Sequence, residues 1–124
     1  MMKKVLTVLV LGYAVLSFNA ALAHGDKPRH GGAVQAANDL SFELVAQGDG
    51  ATIYVDDHGK PYATAGMAGR LTVLNGREKS EAELRPAGDN KLTAQGVKLG
   101  KGSKAVASLT TPQKKPVTVR FVVK

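Results

Sequence analysis

The sequence has no cysteine and no tryptophan. The missing thiol excludes a disulfide framework, thiolate zinc and iron–sulfur sites, a cysteine nucleophile and a lipid-modified N-terminal cysteine. Any metal bound by this chain is therefore held by nitrogen, oxygen or methionine sulfur. Aromatic residues supply only 5% of the composition, so the interior has to be built from Val, Leu and Ala. There is no Ser/His/Asp constellation in recognisable context, no phosphate loop and no dinucleotide fingerprint, which points away from an enzyme. No basic motif interleaved with aromatics is present either, which points away from nucleic acid.

What remains is a chain of 124 residues, 44% hydrophobic and 22% charged, enough for one domain and too apolar for a disordered segment. Residues 1–23 read as a secretory signal. Lys3 and Lys4 form its positive start, Val5 to Phe18 its apolar stretch, and Ala21-Leu22-Ala23 its small-residue cleavage site. A membrane anchor needs about 20 apolar residues; this run is shorter and contains Gly12 and Ser17. Cleavage after Ala23 is expected to release a periplasmic protein that begins at His24 and has no membrane-inserted part.

Loss of Lys3 and Lys4 leaves 15 basic against 10 acidic residues, a formal charge of +5. The charges are segregated. Residues 31–59 hold five acids and no Lys or Arg, whereas residues 91–124 hold eight basic residues and no acid. Such segregation suits an anionic partner, or acidic and basic strands lying side by side.

After a His-containing leader, residues 24–32, expected to be flexible, the chain breaks into short runs of alternating apolar and polar residues separated by Gly, Asn, Asp and Pro. Period-two alternation predicts strands. About seven are expected, joined by turns such as Gly48-Asp49-Gly50, Asp57-His58-Gly59 and Asn75-Gly76. The expected fold of residues 33–124 is a single all-β domain, an antiparallel β-sandwich of immunoglobulin-like type, with a small β-barrel as the alternative. Phe42, Leu44, Ile53, Val55, Leu71, Val73, Leu84, Leu92, Val119 and Phe121 are expected to face inward.

The residues able to carry chemistry cluster near the new N-terminus. A terminal His24 offers an α-amine and an imidazole from one residue, and both groups lose their protons near neutrality. Nitrogen donors of this kind favour Cu(II) over Zn(II) and Ni(II). His30 could add a third nitrogen and Asp26 an oxygen. His58 lies in the turn Asp56-Asp57-His58-Gly59, where it is either a further donor or a solvated turn residue. Met67, in the small-residue run Ala65-Gly66-Met67-Ala68-Gly69, is read either as a thioether held at the surface for Cu(I) or Ag(I) or as packing. Tyr54 and Tyr62 flank the His58 turn.

The segments His30-Gly31-Gly32, Phe42-Glu43-Leu44-Val45, Ile53 through Pro61, and Ala65 through Leu74 resemble a small exported β module. That module is found near the N-terminus of periplasmic adaptor subunits of heavy-metal efflux systems of the resistance-nodulation-division type, and as free-standing periplasmic proteins. The resemblance implies a periplasmic β-sandwich concerned with metal handling, with His30 the position most directly matched. The chain lacks the coiled-coil hairpin of an adaptor. The expected function is therefore periplasmic binding or buffering of copper, with zinc or silver as alternative metals, linked to efflux through an adaptor partner. The competing expectation is a non-catalytic periplasmic interaction module that binds no metal.

Overall fold

The computed structural model describes residues 27–124. The signal-like segment 1–23, His24 and Asp26 lie outside the described residues. The described chain is all-β and antiparallel throughout. Its strands are β1 (Ala33–Ala37), β2 (Leu40–Gln47), β3 (Gly50–Asp57), β4 (Lys60–Pro61), β5 (Ala68–Asn75), β6 (Glu78–Pro86), β7 (Lys91–Gln95), β8 (Lys104–Thr110) and β9 (Pro116–Val122). Two of these, β1 and β4, are not announced by alternation. The first is rich in alanine, and the second has only two residues.

The strands follow one continuous path, β1-β2-β3-β7-β6-β5-β8-β9, with β4 paired to β3 outside it. The first and last strands of the path pack together. The sheet is thus nearly closed into a barrel, not divided into two facing layers, which corrects the sandwich picture in favour of the barrel. The acidic meander β1-β2-β3 is flanked by the basic strand β7 on one side and by β9 on the other.

Alternation explains the interior. All ten residues expected to face inward are buried, each at most 3% exposed, and they form one core with Val97, Ala105, Ala107, Leu109 and Val117. Removing a side chain of this size from water contributes about 1.5–3 kcal/mol. The turns obey local sterics. Asn38 and Asp39 join β1 to β2 with φ of 51° and 65°, and His58 and Gly59 join β3 to β4 with φ of 51° and 88°. Two successive positive φ values fit the tight turn whose twist matches that of paired strands.

Between β4 and β5 the chain is tied across to the segment preceding β7. The Tyr62 amide donates to Val55 O, the Thr64 amide to Asp89 O, and the Thr64 hydroxyl to the carbonyl of Lys91 at 2.8 Å. These bonds satisfy Thr64, which is fully buried.

Candidate functional site

The outer face of β2 and β3 carries the residues that alternate with the core, and there Glu43 lies directly opposite Tyr54. Residues 29–32 cross this face on their way into β1. Gly32 permits the crossing, because a Cβ at this position would overlap the Leu44 carbonyl oxygen. The close approach brings three backbone amides onto one carboxylate. Arg29 N donates to Glu43 Oε1 at 3.1 Å, while His30 N and Gly32 N both donate to Oε2 at 2.8 Å. The His30 ring completes the clasp, with Nδ1 2.9 Å from Oε1.

Glu43 is only 6% exposed although it carries a charge. Burial pushes its carboxyl upward, but the His30 ring and the amides of Gly32, His30 and Arg29 outweigh burial and hold it below its ordinary value of 4.5. An ionised carboxylate can only accept hydrogen bonds. Nδ1 of His30 therefore carries the proton, and in the neutral ring the lone pair resides on Nε2. The ring is stacked flat on Tyr54, with centroids 3.6 Å apart and planes 4° from parallel. It is held from two directions, yet 41% of the side chain remains exposed.

Arg29 extends the contact toward the β3–β4 turn. Its guanidinium donates to Gly59 O at 3.3 Å and lies 3.9 Å from Asp56 Oδ2. The Asn90 amide donates to Val55 O at 3.1 Å and to Asp56 Oδ1 at 3.4 Å, bracing the turn from the β6–β7 side. The leader and the His58 turn are therefore neighbours, joined through Arg29. His58 itself has Nδ1 2.6 Å from Asp57 Oδ1 on an exposed tip.

The structure separates the residues proposed from sequence. His30 is fixed on the barrel wall, and its segment is bonded to β2 where a flexible leader was expected. Met67 is not a surface thioether. It is 3% exposed within the hydrophobic core, since its amide bonds the Thr64 carbonyl and the chain turns inward there. Among the described residues no three His, Cys, Asp or Glu side chains form a group suited to holding a metal ion. His24 and Asp26 lie outside the described residues. Sequence reasoning did not single out Glu43 or Arg29. The one local signal for them is the pair Gly31-Gly32 ahead of a strand, which marks a close backbone approach. The chain matches no protein-family model, no curated protein and no solved structure.

Proposed function

We propose that this chain is an exported, non-catalytic metal-binding protein of the periplasm, which takes one copper ion through the amine and imidazole of His24 and Nε2 of His30 and serves heavy-metal efflux. The single observation that carries the reading is the Glu43–His30 hydrogen bond. Metal-binding histidines commonly give their second ring N–H to a carboxylate, which fixes the tautomer and raises the basicity of the ligating nitrogen. Glu43 does this for Nδ1, leaving Nε2 as the donor on a ring that Tyr54 holds in place. His30 lies six positions after His24, a reach of at most about 20 Å, ample for a return loop. Asp26, two residues after His24, and His58, in the turn that Arg29 reaches, are the auxiliary donors of this reading. Met67 has no part in it, being buried.

Native mass spectrometry of the exported protein with and without Cu(II) tests the reading. The expected result is a chain beginning at His24 that retains one copper. One extra residue ahead of His24 moves the amine away from the imidazole and should weaken binding, as should His30→Ala. Because the donors must shed protons, affinity should fall from about pH 7 to about pH 5. Unchanged affinity in the His24→Ala, His30→Ala double variant overturns the site. Preference for Zn(II) or Ag(I) in competition would replace the metal. No binding of any of the three would favour an interaction module.

A further inference from the structure

The barrel wall has a gap. β6 pairs with β5 along its length from Glu78 to Leu84, but it meets β7 only at Arg85 and Pro86. From there the two strands diverge. A cleft of about 480 Å³ between Glu81, Glu83, Arg85 and Thr93 marks the start of the divergence. A second of about 460 Å³ lies between Glu78, Lys79, Ser80 and Lys98.

The register tells which backbone groups face this gap. Asn75 and Glu78 close the two-residue turn Gly76-Arg77, and a closing pair of that kind exchanges both of its hydrogen bonds. Alternation then turns Glu78, Ser80 and Ala82 toward β5, and the amides and carbonyls of Lys79, Glu81 and Glu83 toward the gap. An open strand edge of this kind is a template for another strand.

The charges along that edge are self-complementary. Lys79, Glu81 and Glu83 follow one another on one face of β6, with Arg77 ahead of them in the turn, in the order plus, plus, minus, minus. We propose that β6 pairs antiparallel with β6 of a second copy of this chain about a two-fold axis at Ser80, joining two barrels through their sheets. Lys79 then lies opposite the second copy's Glu81, and Arg77 opposite its Glu83, each pair formed twice by symmetry. In this register Lys79 and Glu81 also face each other with their free amides and carbonyls. A slip of two residues in one direction places Glu81 on Glu81 and Arg77 on Arg85. A slip in the other places Lys79 on Lys79. Like charges directly opposite are destabilising, and either slip leaves two opposite-charge pairs in place of four, so the sequence favours one register over its neighbours.

Sedimentation analysis of the full exported protein tests the pairing. Lys79 and Glu81 are exposed and touch nothing in the core, so charge reversal leaves the fold intact, which circular dichroism checks. Lys79→Glu and Glu81→Lys should each weaken dimerisation by about tenfold or more, since each turns two attractive pairs repulsive. The double variant K79E/E81K should restore it. A wild-type chain that stays monomeric at about 1 mM overturns the proposal. A dimer indifferent to the single reversals overturns it too, as does failure of the double variant to recover.

Discussion

Glu43 in β2 and Glu83 in β6 hold equivalent places in their strands. Each points outward between two residues that face the core, Phe42 and Leu44 in one case, Ala82 and Leu84 in the other. Their surroundings are opposite. The Glu83 side chain is 61% exposed and meets Arg85 at 2.9 Å in solvent, whereas Glu43 is buried beneath residues 29–32 and accepts three backbone amides and an imidazole. Alternation decides what enters a barrel. What covers its outside is decided by a segment 11–14 residues away in sequence.

The two glutamates sit over one shared core, and its loss has the largest expected effect. Phe42→Ala and Leu84→Ala should both lower unfolding stability in urea by about 2–5 kcal/mol, because both side chains fill the same core. A changed m-value, or transitions that differ between probes, in one variant and not the other would mean that the two halves of the barrel do not unfold together. The glutamates themselves should then part company. Glu43→Gln keeps the shape but removes the charge that four donors address, and a loss of about 1–3 kcal/mol is expected. Amide exchange at His30 and Gly32 should accelerate with it, which locates the loss in the clasp.

The same contrast has a pH signature. The Glu43 carboxyl is held below 4.5 in the folded protein, so its contribution is fully present above pH 4.5 and is lost as pH falls through the lower folded value. The contribution of the Glu43 charge to the stability difference between wild type and Glu43→Gln should accordingly shrink as pH falls below 4.5. A difference that grows as pH falls below 4.5 would reverse the sign. Tyr54→Leu should cost about 0.5–1.5 kcal/mol through loss of the stack on His30. Glu83→Gln, measured in dilute protein, should change stability by less than about 0.5 kcal/mol, the range of an exposed pair.

The interior was legible because strand period and side-chain chemistry coincide. Every polar residue from Ser41 to Asp56 that interrupts an apolar run marks the outer face. The outer face was not legible, because local pattern treats Glu43, Glu81 and Glu83 alike. His30 was visible as a donor, but its partner was not, since the pairing depends on Gly32 passing over the Leu44 carbonyl. Of the two readings of Met67, packing is the one the structure shows. Its small neighbours suggest exposure, but they also let the chain fold inward, and Thr64 bonded to Asp89 and Lys91 draws it there. The closing of the sheet into a barrel was unreadable, as alternation is the same in a layer and in a ring.

The meeting of β1 with β9 bears on the order in which the molecule assembles. The meander β1-β2-β3 and the hairpins β5-β6 and β8-β9 need only nearby residues to find one another. The seam joins segments separated by most of the described chain, and its loop-closure entropy is lost before contact offsets it. Closure entropy alone therefore places the seam after the hairpins, so the expected last step is an open ring shutting as β1 meets β9. A passage through that stage is where folding catalysts would find something to hold.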